Sequence, residues 1–167
     1  MGDRMGFSRR KTLISAAAVL GAVLAFAGCG SSSSGSTSSA AAPAVQVSTA
    51  NVPGLGTVLV NGQGLTLYVF VPDNRASVTC LGSCAAVWPP LGLSSGQTPI
   101  AAGGAKATLL GSDPNPDGGR VVTYAKWPLY TFTSDTSAGT ALGQATNLNG
   151  GLWYVLSASG TVIRTSS

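Results

Sequence analysis

The feature that most constrains this 167-residue chain is a match to itself at an offset of 62 residues. Leu67-Tyr68-Val69-Phe70-Val71-Pro72-Asp73 reads in register against Leu129-Tyr130-Thr131-Phe132-Thr133-Ser134-Asp135, with Leu, Tyr, Phe and Asp recurring. Each copy follows a hairpin pattern and precedes a Gly/Ser/Thr-rich loop that ends in a tryptophan, Trp88 in the first and Trp153 in the second. The tryptophans lie 65 residues apart, so the second loop is three residues longer.

Strand-forming residues dominate this region, and no long helical periodicity is present. Gly56–Val60 and Leu65–Phe70 flank Asn61-Gly62-Gln63-Gly64, turn residues suited to positive φ. Arg120–Tyr124 and Leu129–Phe132 flank a turn around Ala125-Lys126, and Leu152–Leu156 and Thr161–Arg164 flank Ser157–Gly160. The expected fold is mainly β, a single compact domain of two related hairpin-based repeats, at about 55–92 and 118–165. Tyr68 and Phe70 are two residues apart and share one strand face, as do Tyr130 and Phe132, which predicts an aromatic core with Trp88 and Trp153 as its lids. Asp73 and Asp135 lie just past their strands, where a carboxylate accepts loop N–H groups and fixes a turn.

The chain opens with the order of an export signal: Arg4, Arg9, Arg10 and Lys11, an apolar run from Thr12 to Phe26, and Ala27-Gly28 before Cys29. This reads as a lipoprotein signal over residues 1–28, with Cys29 as the lipidated residue. The membrane is then a partner through the acyl anchor, on the extracytoplasmic face. Two acyl chains at ~0.8 kcal/mol per buried methylene hold a protein where one chain does not. Ser8-Arg9-Arg10-Lys11 also fits a twin-arginine route. Residues 29–44 form a Ser/Ala-rich linker with almost nothing to bury, and the folded domain is expected over 45–167.

Without residues 1–28 the basic character disappears. Arg75, Lys106, Arg120, Lys126 and Arg164 face Asp73, Asp113, Asp117 and Asp135, a net charge of +1 with the cations scattered singly. A nucleic-acid partner would need a clustered basic face, so none is expected. Cys80 and Cys84 are the pair left once Cys29 carries lipid, and a disulfide persists in an extracytoplasmic compartment.

The chain has no histidine, and its acids are all aspartates. Ser-His-Asp and Cys-His catalysis are therefore excluded, no catalytic residue is assigned and no enzymatic activity or cofactor is expected. Asp113-Pro114-Asn115-Pro116-Asp117-Gly118 matches half of a calcium loop, but Tyr124 stands where a bidentate glutamate is required, so a plain turn is expected and no metal. A reversible dithiol at Cys80 and Cys84 is the alternative function, as a thiol-disulfide or electron-transfer accessory protein; the C-x3-C spacing and the lack of a nearby histidine count against it. Otherwise the domain is a binding or structural module. Trp88, Trp127 and Trp153, with Asn147 and Asn149, are candidate contacts for a glycan or an envelope protein.

Several motifs in order resemble a known family, bacterial lipoproteins with tandem copies of a secreted repeat of unknown function marked by Tyr-x-aromatic-x-x-Asp. The copies are Tyr68-Val69-Phe70-Val71-Pro72-Asp73 and Tyr130-Thr131-Phe132-Thr133-Ser134-Asp135. Cys80-Leu81-Gly82-Ser83-Cys84-Ala85, Trp88-Pro89-Pro90, Pro128-Leu129-Tyr130 and Gly150-Gly151-Leu152-Trp153 extend the likeness over about residues 55–160. Ala125-Lys126 departs from it, where an Asn-Gly type turn is expected. The resemblance implies an envelope lipoprotein and brings no activity, substrate or cofactor.

Overall fold

Short strands linked by glycine-rich turns make up almost all of the computed structural model, which describes residues 44–75 and 77–165. The expected signal, Cys29 and the linker up to residue 43 lie outside the described residues.

In chain order the strands are β1 (Gln46–Val52), β2 (Gly56–Asn61), β3 (Tyr68–Phe70), β4 (Gly92–Leu93), β5 (Ile100–Ala101), β6 (Leu110–Pro114), β7 (Arg120–Tyr124), β8 (Trp127–Pro128), β9 (Asn147–Leu148), β10 (Gly151–Leu156) and β11 (Val162–Ile163). One five-residue helix, α1 (Ser83–Val87), sits between β3 and β4. The domain is mainly β, as the strand propensities require.

Each repeat begins with an antiparallel hairpin that buries one face. β1 pairs β2 from Val47↔Asn61 to Val52↔Gly56, and β6 pairs β7 from Leu110↔Tyr124 to Pro114↔Arg120. Neither β1 nor β6 stands out in the sequence; β1, Gln-Val-Ser-Thr-Ala-Asn-Val, has few apolar residues to mark it. The calcium-like segment is part of the second hairpin. Asp113 is paired with Val121 in the ladder, Asn115 turns the chain, and Asp117 accepts the Gly82 N–H at 3.1 Å.

The hairpin expected around Asn61–Gly64 is present only at its tip. The Asn61 N–H donates to the Leu65 carbonyl at 2.9 Å, and the Asn61 side-chain oxygen accepts the N–H groups of Gln63 and Leu65 at 2.9 and 3.0 Å. Beyond the Val60↔Thr66 bridge the chain leaves its own repeat. β3 pairs β10 of the second repeat, with Trp153↔Phe70, Tyr154↔Val69 and Val155↔Tyr68. The same exchange runs the other way: Pro90 bridges Tyr130, and β4 pairs β7. Ser157, just after β10, bridges back to Val58 of β2. The end of each repeat thus completes the sheet of the other.

The β7–β8 turn at Ala125-Lys126 and the β10–β11 hairpin around Ser157–Gly160 fall where the sequence places them. Both faces of β3 are buried. Tyr68 and Phe70 enter a cluster with Trp88, Tyr130, Trp153 and the two cysteines, whereas Leu67 and Val69 enter a second one with Val122, Tyr124, Trp127, Leu129 and Leu156. Among the described residues no helix is long and apolar enough to cross a membrane.

Candidate functional site

Tyr68 and Tyr130 face each other where the two repeats meet. The Tyr68 N–H donates to the Tyr130 carbonyl at 2.8 Å and the Tyr130 N–H returns to the Tyr68 carbonyl at 3.0 Å. From this pair the phenols cross over. The Tyr68 O–H donates to Oδ2 of Asp135 at 2.5 Å, and the Tyr130 O–H donates to Oδ2 of Asp73 at 2.6 Å. The tyrosine of each motif is therefore bonded to the aspartate of the other copy.

The remaining carboxylate oxygens hold the loops, as expected of residues just past a strand. Oδ1 of Asp73 accepts the Thr79 N–H at 2.8 Å and the Thr79 hydroxyl at 2.6 Å, and Oδ1 of Asp135 accepts the Leu142 N–H at 2.9 Å. The Gly143 N–H reaches the Tyr68 hydroxyl at 3.3 Å, and the Cys80 N–H plays the same part toward Tyr130. The two halves are wired alike down to these backbone groups.

Both aspartates are buried, Asp73 at 1% exposure and Asp135 at 3%. Loss of water pushes the Asp73 carboxyl above its ordinary value, because the bonds from Thr79 and Tyr130 offset that burial only in part. Burial first, then the neighbouring carboxylate, pushes both phenols far above their usual range, so they remain neutral donors.

Around this node the rings form a four-membered stack. Phe132 lies on Trp88 at 4.1 Å, Trp88 on Trp153 at 3.9 Å and 3°, and Trp153 on Phe70 at 4.3 Å. Tyr68 meets Trp88 edge-on at 5.4 Å, and Tyr130 meets Trp153 edge-on at 5.2 Å. Each such pair adds about 0.5–1.5 kcal/mol beyond burial. Trp88 and Trp153 are at the centre of the core and do not cap it.

This placement removes the tryptophans as surface contacts: Trp88 and Trp153 are fully buried and Trp127 is 6% exposed. They were candidates because aromatic residues suit recognition surfaces, but sequence does not distinguish an exposed ring from one stacked in a core. Asn147 and Asn149 are exposed. Cys80 and Cys84 form a disulfide, with Cα atoms 5.2 Å apart, buried against the same aromatic cluster. It closes the loop that carries the Cys80 N–H to Tyr130. Sequence reasoning missed the exchange between copies and the supporting role of Thr79, Leu142 and Gly143, since nothing local marks a bond between residues 57 or 67 positions apart.

Two tandem matches to one family model cover residues 50–92 and 113–157, more than half of the chain. The chain belongs to the family of the secreted repeat of unknown function. No curated protein and no solved structure matches it. Each match in this secreted repeat protein holds one Tyr-x-aromatic-x-x-Asp motif and one tryptophan of the central stack, Trp88 in the first and Trp153 in the second. A family of secreted repeats places the chain in the envelope or outside the cell.

Proposed function

We propose that this secreted repeat protein is a lipid-anchored envelope lipoprotein whose two repeats form one rigid, non-enzymatic binding or structural module. The observation that carries the reading is the reciprocal bonding of Tyr68 to Asp135 and of Tyr130 to Asp73. The motif's polar groups are used up in joining the halves, so its chemistry serves the scaffold. Presentation to a partner, a glycan or an envelope protein, then falls to loops outside the motif. The anchor is assigned from the Arg-rich start, the apolar run and Cys29. A thiol-disulfide role is disfavoured by burial, with Cys80 at 1% and Cys84 at 9% exposure, because exchange requires an attacking thiolate to reach a sulfur.

The test is the intact mass of the mature protein taken from native membranes, with and without reduction before alkylation. A diacylated or triacylated Cys29, with Cys80 and Cys84 alkylated only after reduction, supports the reading. If Cys29→Ala leaves a processed protein firmly on the membrane, the anchor is wrong.

A further inference from the structure

Beside the β7–β8 turn a cleft of about 430 Å³ opens, within the size range of small-molecule sites. Its lining combines Arg75 of the first repeat with Leu109, Leu110, Gly111, Thr123 and Lys126 from the second half, and includes no carboxylate. Arg75 lies 5.3 Å from the centre of the Trp127 ring, a cation–π contact that fixes the guanidinium while leaving its N–H groups available. Among the described residues neither Arg75 nor Lys126 has an ion-pair or hydrogen-bonding partner for its charged group.

Thr123 is 4% exposed and its hydroxyl has no hydrogen-bond partner among the described residues. The oxygen is not sealed off: among the described residues the sealed side-chain polar atoms without a partner are Trp88 Nε1 and Trp127 Nε1, so the Thr123 hydroxyl is reachable from the cleft. Gly111 lies beside it: a Cβ there would stand 2.9 Å from the Thr123 hydroxyl oxygen, so glycine leaves this donor uncovered on the cleft side.

The two repeats differ at this place. At the 62-residue offset Lys126 corresponds to Gly64 and Arg75 to Ser137. Gly64 takes φ 81° without strain, whereas Lys126 takes φ 70° and Ala125 before it φ 50°. Left-handed backbone costs an L-residue about 1–2 kcal/mol. Only the second repeat places a lysine in a turn that favours glycine, and only there does the cleft carry two cations.

We propose that this cleft binds a small anionic ligand, its carboxylate or phosphate group seated between Arg75 and Lys126 and bonded by the Thr123 hydroxyl. Leu109 and Leu110 receive any apolar part. The site deepens the binding side of the function above and is independent of the anchor, which the mass of Cys29 reads separately.

The experiment titrates the full-length protein in detergent with inorganic phosphate and, separately, with succinate at constant ionic strength, following backbone amide shifts. Saturable shifts centred on Gly111, Thr123 and Lys126 are expected with at least one probe. Response to phosphate alone assigns a phosphate site, and response to succinate alone a carboxylate site. In Arg75→Gln and in Lys126→Gly the dissociation constant should rise by about tenfold or more, as loss of a charge-assisted bond implies. Lys126→Gly should at the same time keep or raise the thermal midpoint, separating lost binding from lost folding. Absence of saturation with both probes, or unchanged affinity in both variants, overturns the site.

Discussion

At the scale of single residues, the reciprocal wiring makes a claim that a within-repeat role for the motif would not. Tyr68→Phe and Tyr130→Phe each remove one O–H from a buried carboxylate, and each should cost about 2 kcal/mol in urea unfolding. The sharper measurement is the double-mutant cycle. Tyr68→Phe should couple to Asp135→Asn and Tyr130→Phe to Asp73→Asn, whereas the pairs within one motif should be close to additive. Asp73 adds a pH dependence of definite sign. Its carboxyl binds its proton more tightly folded than unfolded, so its contribution to stability is complete below the unfolded value of 3.8 and declines as pH rises through the higher folded value. The stability difference between the wild type and Asp73→Asn should accordingly shift against the wild type over that interval and be constant above it. A difference that moves in the wild type's favour would show that the bonds from Thr79 and Tyr130 outweigh burial.

At the scale of elements, close packing of the loops on the rings governs what is tolerated. A Cβ on Gly143 would stand 2.6 Å from Cη2 of Trp88 and 3.0 Å from Cε1 of Tyr68, atoms of two buried rings packed edge to face in the core and with little room to yield. Gly143→Ala should therefore cost about 1–3 kcal/mol, as overpacking does, while Gly92→Ala, where a Cβ meets nothing within 4 Å, should be near neutral. Thermal midpoints of the two variants compare them directly. Much at this scale was legible in advance: the turns at Ala125-Lys126 and Ser157–Gly160, the aromatic face of the Tyr68–Phe70 strand, and the Cys80–Cys84 bridge all follow from local residue patterns. Three things were not legible. β1 carries only Val47, Ala50 and Val52 as apolar residues, α1 spans five residues too few to show a period, and β3 has the same composition whichever repeat it pairs with. Strand pattern fixes which face is buried; it carries no information on which distant strand supplies the ladder.

At the scale of the whole molecule, the exchange of strands decides how the protein unfolds. Neither repeat closes its own sheet: β3 has β10 as its partner, β4 has β7, and the central stack alternates between copies, Phe132 and Trp153 from the second flanking Trp88 from the first. Removing one repeat would leave the other with an open sheet edge, half an aromatic stack and an aspartate stripped of its phenol donor. Tandem repeats that only touch end to end can melt one at a time; here the central ring stack, both tyrosine–aspartate bonds and the β3–β10 and β4–β7 pairings span the two copies, so either repeat alone is expected to be unstable. Urea unfolding should be a single transition, coincident by far-UV circular dichroism and by tryptophan fluorescence. Phe70→Ala in the first copy and Phe132→Ala in the second should each lower the midpoint of that one transition without splitting it. They should also be unequal, because Phe70 is 4% exposed and Phe132 only partly buried, so truncation at Phe70 opens the larger cavity and costs about 3–5 kcal/mol against less at Phe132. A plateau between two transitions in either variant, with half of the signal retained, would mean that a single repeat holds its fold alone, and the interlocked description of the domain would fail.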